Sequence, residues 1–237
     1  MNILSKSVLA LCTLAAGLHA PAASAQAVPP ESTRIDRSKS ALVLIEYQRD
    51  WLDPDGKLRP LLEDEQLLRT SLERSQVALE AARKAGMVIV HVGLRFAPGY
   101  PELGRDAKYG LRRAIQRAGT FPEAGRGSEF VPPFSPQAGE FVTSGRTGSS
   151  AFAGSNLESF LRNNGVTQLF LMGYATHVCV ESTFRQAHDL GYGTAVIIDA
   201  TSAFNHEQQD YFAKNILHHF GRALTAEDFA KMLTPDN

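Results

Sequence analysis

Four continuous apolar runs constrain this chain most. Residues 40–45 (SALVLI), 87–92 (MVIVHV), 168–172 (QLFLM) and 193–199 (GTAVIID) lack the polar alternation of a strand with one wet face. Such runs suit strands covered on both sides, as in a parallel sheet. Segments with helical spacing lie between and after them. Residues 67–85 close at Gly86, residues 155–164 close at Gly165, and residues 181–190 close at Gly191; two more helices are predicted at 207–220 and 225–233. Ser155 followed by Glu158 reads as a capping box. A short strand is predicted at 140–143 (EFVT). This alternation predicts an α/β fold: a three-layer, doubly wound, mostly parallel sheet with helices on both faces. Ligands of such sheets sit beyond the carboxyl ends of the strands. Glu46, Arg146 and Cys179 each follow a predicted strand end, so three separate segments aim reactive groups at one rim.

The segment 98–136 breaks the pattern. It is rich in proline, glycine and charge, with one short helix predicted at 110–118. A long excursion of this kind in a compact domain is commonly a lid or an interface. Arg95, Tyr100 and Arg112 are its candidate polar contacts.

The first residues read as a targeting segment. Lys6 supplies positive charge, residues 7–18 are apolar but too short to span a bilayer comfortably, and Ala23, Ser24 and Ala25 form an A-x-A cleavage site. The predicted organisation is a signal peptide at 1–25, a polar linker or arm at 26–38 carrying Pro29 and Pro30, and one domain at 39–237. Secretion or a periplasmic location follows, and with it an oxidising compartment. The formal net charge of −1 and the lack of a Lys/Arg block give no support to nucleic-acid binding, or to membrane binding once the leader is gone.

Of the two cysteines, Cys12 lies in the leader, so Cys179 is alone in the mature chain and has no intramolecular disulfide partner. It sits in residues 173–180 (GYATHVCV), between an apolar strand and a helical run. A thiol at the first turn of a helix meets the positive end of the dipole, which favours the nucleophilic thiolate. Cysteine also packs as a small hydrophobe, and the local pattern alone does not separate the two roles.

Several motifs in order carry a resemblance. Residues 41–51 (ALVLIEYQRDW) resemble the opening strand motif of the isochorismatase-like cysteine hydrolases: an apolar strand, an acid, any residue, Gln, then Asp-Phe. Residues 150–157 (SAFAGSNL) are similar to the family's Ser-Ala-Phe-x-Gly-Thr-x-Leu segment, and residues 173–180 to its Gly-x-x-Thr-x-x-Cys-Val nucleophile turn. Asp199 and Ala200 match a later strand end. The similarity spans nearly the whole mature chain.

The resemblance implies a working set of an acid, a lysine and the cysteine. The acid, usually aspartate, is Glu46 here. The lysine normally lies six residues before the phenylalanine of Ser-Ala-Phe; counting back from Phe152 gives Arg146, although Gly145 and Gly148 leave room for a register slip. Arginine keeps the charge but cannot shuttle a proton. The implied catalytic residues are thus Cys179, Glu46 and Arg146. The implied oxyanion donors are the N–H groups of Ala175 and Cys179, beside a cis Tyr174–Ala175 bond. Tyr47, Trp51, Phe152, Tyr174 and His177 are the pocket candidates. The implied reaction is hydrolysis of a C–N bond in a small amide, ureide or lactam through a thioester. No cofactor is implied. No metal is implied either, because the stretch where nicotinamidases carry their histidine cluster holds only His91. The partner is a small-molecule substrate, and the family's habit implies a homo-oligomer. Two other readings stay open: a non-catalytic binding protein, given the Glu46 and Arg146 substitutions, and a thiol-redox protein exposed to oxidants through Cys179.

Overall fold

The structure, a computed structural model, describes residues 34–234. The predicted leader lies outside the described residues, as does most of the predicted arm. The part of the arm that is described is packed: Ile35 is buried and its N–H donates to Met232 O at 3.1 Å, while Arg37 donates to Ala85 O at 2.8 Å. Packing therefore begins before residue 39.

Six strands, β1 (Ser40–Ile45), β2 (Val88–Val92), β3 (Phe141–Val142), β4 (Gln168–Tyr174), β5 (Gly193–Ser202) and β6 (Arg222–Leu224), form one sheet in the order β3-β2-β1-β4-β5-β6. Every neighbouring pair is parallel. The helices are α1 (Arg49–Leu52), α2 (Glu65–Lys84), α3 (Gly110–Ala118), α4 (Leu157–Asn163), α5 (Glu181–Asp189), α6 (His206–Tyr211), α7 (Leu217–Phe220) and α8 (Ala226–Leu233). The period-two alternation of side chains sorts each strand between two cores. Leu42 and Leu44 of β1, Phe170 and Met172 of β4, and Ala195 and Ile197 of β5 meet α2 and α8 on one face. Ala41, Val43, Ile45, Leu169, Leu171 and Val196 meet α4, α5 and the α6–α7 run on the other. Two covered faces explain why β1 is buried at all six positions.

Several elements differ from the sequence reading. The fourth helix starts at Leu157; Ser155 lies before it, and its Oγ accepts from Leu157 N at 3.1 Å, so the predicted capping box does not form. β5 runs on to Ser202, which puts Asp199 inside the strand, where its carboxylate accepts from Ala226 N at 2.8 Å at the start of α8. The edge strand β6 was not predicted; three residues bounded by Gly221 and Thr225 carry too little pattern to see. The helix predicted at 110–118 is present as α3.

The sheet order reverses direction between β1 and β4, the switch point at which open α/β sheets bind ligands. The two strands approach closely there. Ile45 pairs with Gly173, and a Cβ on Gly173 would stand 2.1 Å from Ile45 O at a φ of +124°. Only glycine fits.

The segment just after β1 ties the excursion down. Gln48 accepts from Leu94 N (2.8 Å) and donates to Leu94 O (2.8 Å) and Ser128 O (2.7 Å). Asp50 accepts from Phe121 N at 2.6 Å. Each is a buried side chain meeting main-chain groups that would otherwise be stranded.

Candidate active site

Glu46 is the first residue past β1, and its backbone is left-handed at φ +60°. A non-glycine residue there is uncommon and strained by about 1–2 kcal/mol, and such strain collects at functional sites. Its N–H donates to Val92 O at 2.7 Å, which anchors the turn to the end of β2. The carboxylate is 1% exposed. Trp51 on α1 donates its indole N–H to Glu46 Oε2 at 2.7 Å, and Arg146 Nη2 lies 2.7 Å from Glu46 Oε1.

Arg146 occupies the loop between β3 and α4 and is also buried. Its Nε donates to Gly148 O (3.0 Å) and Ser150 O (3.2 Å), and Nη2 to Ser149 O. The loop thus curls around its own guanidinium, and no register slip displaces it. Glycine at 145 permits the curl, with φ +78° and its missing Cβ 2.9 Å from Gly154 O. Nη1 has no hydrogen-bond partner among the described residues.

Cys179 lies in a widened, π-type turn, Thr176–Val180, between β4 and α5. The Tyr174–Ala175 bond that leads into it is cis. The turn is braced from two sides. Thr176 donates to Gln209 Oε1 of α6 at 2.7 Å; Thr183 donates to Cys179 O at 2.7 Å and accepts from Ala151 N at 2.9 Å. Neither Gln209 nor Thr183 was picked out from sequence, because only the folded chain brings them to the turn.

The Cys179 thiol faces the Glu46–Arg146 pair closely enough for both charges to act on it. Burial pushes its pKa up strongly and the Glu46 carboxylate pushes it further, while Arg146 pulls the other way. Burial and the neighbouring carboxylate therefore work against the thiolate expected from the helix terminus and the arginine. Arg146 is already matched by Glu46, so a thiolate would be an uncompensated third charge in a buried site. Burial opposes the charge of the guanidinium, but the Glu46 carboxylate beside it is the largest of the contacts that hold its pKa up.

Of the predicted oxyanion donors, the Cys179 N–H donates to Ala175 O at 3.0 Å, a carbonyl it shares with Val178 N and Val180 N.

A cavity of about 660 Å³ opens onto Glu46 and Cys179. Its walls come from Trp51, the 57–61 segment, Leu94, α3, Phe121, the 147–149 loop, Val178 and Phe204. Of the five pocket candidates only Trp51 lines it. Tyr47 and Tyr174 are fully buried between the sheet and α2, where their hydroxyls meet Ser75 (2.5 Å) and Ser71 (3.0 Å). Phe152 stacks on Tyr192 in the opposite core. His177 stands edge-on to Phe204 at 4.5 Å, behind the cavity wall. Side chains alternate along the chain, so flanking a reactive residue in sequence sends a neighbour to a different layer. Arg112 lines the cavity, Arg95 lines a separate cavity of about 410 Å³ behind Arg146, and Tyr100 donates to Thr120 O at 3.0 Å.

His91 is buried and pairs with Glu140 at 2.7 Å, and Glu140 also pairs with Arg83 at 2.7 Å. Despite its partial burial, Glu140 is held down to about 2 by hydrogen bonds from Arg83, Gln137 N and His91. Among the described residues no three His, Cys, Asp or Glu side chains cluster to hold a metal ion.

Comparisons with known proteins place the chain in a family. The isochorismatase domain model matches residues 40–228. The ureidoacrylate amidohydrolase RutB of Variovorax paradoxus (strain S110) is 30% identical over 227 residues, covering 91% of this chain and 90% of that protein. Among solved structures, a cysteine hydrolase from Pseudomonas syringae pv. phaseolicola 1448A superposes with a TM-score of 0.68 at 18% identity, covering 84% of this chain and 94% of the other. The N-carbamoylsarcosine amidase from Thermoplasma acidophilum superposes with a TM-score of 0.62 at 23% identity, covering 80% and 97%. With the family model spanning the whole sheet and a relative that aligns along nine-tenths of its length, the chain belongs to the isochorismatase family of hydrolases.

Proposed function

We propose that this hydrolase is a cysteine-dependent amidohydrolase that cleaves a C–N bond of a small amide or ureide through a thioester. One observation carries the reading: Cys179 and Glu46 open onto one cavity at the sheet's switch point, and Arg146, from a third loop, pairs with Glu46 at 2.7 Å. The similarity to an amidohydrolase supports the bond type.

The chemistry follows from the protonation states. Cys179 waits as a thiol. When a substrate carbonyl arrives, Glu46 takes the Sγ proton as sulfur attacks the carbonyl carbon. The oxyanion that forms is met by main-chain N–H groups of the nucleophile turn, those of Ala175 and Cys179 by the family's pattern. The C–N bond breaks as Glu46 passes its proton to the departing nitrogen, leaving a thioester. Glu46 then takes a proton from water, the hydroxide adds to the thioester carbonyl, and the sulfur leaves and regains its proton. Arg146 moves no proton; it holds Glu46 in place and balances its charge. The Trp51 N–H fixes the other carboxylate oxygen.

The leader supports action outside the cytoplasm: Lys6, the apolar 7–18 run and the Ala23-Ser24-Ala25 site are the features of an exported chain.

The test is release of amine or ammonia from a panel of small amides and ureides by the mature protein, with Cys179→Ala and Glu46→Gln alongside. Turnover that vanishes in both variants is expected. Turnover that survives Cys179→Ala would overturn the reading.

A further inference from the structure

The cavity above Cys179 is walled almost wholly by carbon. Trp51, Leu94, Phe121, Val178 and Phe204 form its sides, and α3 forms its roof. The roof is unusual. Leu111, Ala114, Ile115 and Ala118 recur at the i, i+3, i+4, i+7 spacing of one helix face, and all four line the cavity. Yet α3 buries none of its residues, and Leu111 is 46% exposed. The helix is held by polar contacts at its margins: Gln116 donates to Gly104 O at 2.8 Å, Arg113 to Lys108 O at 3.2 Å, and Lys57 to Gly119 O. An apolar helix face normally closes against a core; here Ile115 packs only in part against it, and the stripe faces the space over the thiol. Lys57, one of the two cations on the wall, is already committed to that Gly119 carbonyl.

We infer that the substrate is an amide with an extended apolar body, an alkyl or aryl group of several carbons that fills the space between α3 and the Trp51–Phe204 wall while its carbonyl reaches Cys179. This rests on the amidohydrolase reading and adds the substrate class to it. The carbon skeleton covers the α3 stripe, so affinity comes from the body and chemistry from the head.

Trp51 is the chain's one tryptophan and lines the cavity, so its fluorescence reports occupancy without turnover. The experiment titrates Cys179→Ala with straight-chain primary amides from acetamide to octanamide. Kd is expected to fall about fourfold per added methylene, the value for burying one CH₂, until the cavity is full. Ile115→Glu in the same background is expected to flatten the series. A Kd that is independent of chain length, or that rises with it, overturns the inference. Failure of the hydrolase reading is distinguishable: long amides would bind Cys179→Ala with the expected slope, and the unmutated protein would not cleave them.

Discussion

Arg146→Met removes the cation from a pocket that also holds a buried carboxylate. In the parent protein both charged side chains are 1% exposed and stand 2.7 Å apart. The substitution is close in volume and apolar, so it leaves little cavity. It strands Glu46 with the Trp51 N–H as its remaining side-chain donor. It also takes the donor from the carbonyls of Gly148, Ser149 and Ser150, of which the first two residues line the cavity, where water can replace it. The dominant loss is therefore the unpaired buried charge, about 3–5 kcal/mol. Urea unfolding at neutral pH measures it, and the double-mutant cycle isolates it. Glu46→Gln/Arg146→Met is expected to recover about 2 kcal/mol or more relative to the sum of the single changes, because both charges are then gone. If Arg146→Met lies within about 1 kcal/mol of the parent and the cycle closes additively, Glu46 and Arg146 do not act as a buried pair and the electrostatic account of the site fails.

Iodoacetamide labelling of Cys179 is expected to be slow at neutral pH and to rise only above the ordinary thiol value of about 8.5, since burial and Glu46 raise its pKa; fast labelling at pH 7 would refute the resting thiol. The sign carries over to stability: a folded pKa above the unfolded one stabilises below the unfolded value and is lost as pH rises, so the parent should lose stability at alkaline pH relative to Cys179→Ala. Glu140→Gln should cost about 1–2 kcal/mol at neutral pH, discounting the full shift for solvent screening. Because the Glu140 pKa is lowered from its ordinary value to about 2, that stabilisation is present above about 4.5 and fades as pH falls toward 2; a ΔΔG of unfolding unchanged between pH 7 and pH 3 would contradict it. Gly173→Ala places a Cβ 2.1 Å from Ile45 O and should destabilise by about 3 kcal/mol or more, read as a drop in Tm; a Tm within a few degrees of the parent would show that β1 and β4 can separate without penalty.

Most of the fold was legible because its signals are local. An apolar run without alternation needs two covered faces, and helical spacing with a closing glycine needs no partner to be seen. Glu46, Arg146 and Cys179 stood out as candidates because each follows a strand in the chain and fits a motif of the family the sequence resembles. What failed depended on direction or on distance. Tyr47 and Tyr174 flank reactive positions yet hydrogen-bond serines of α2. Thr183 and Gln209 brace the nucleophile turn from elements that carry no mark of that role in sequence.

The sequence by itself determined the layers and marked three candidate groups that follow strands, because each signal is written in residues close together along the chain. Only the tertiary structure decided how those groups share their charges. The resting state of Cys179 depends on how deeply it is buried and on whether Arg146 already has a partner, and both follow from contacts across β1, the β3–α4 loop and the π-type turn. Electrostatic energy depends on distance and on the removal of water, and neither can be read from the order of residues.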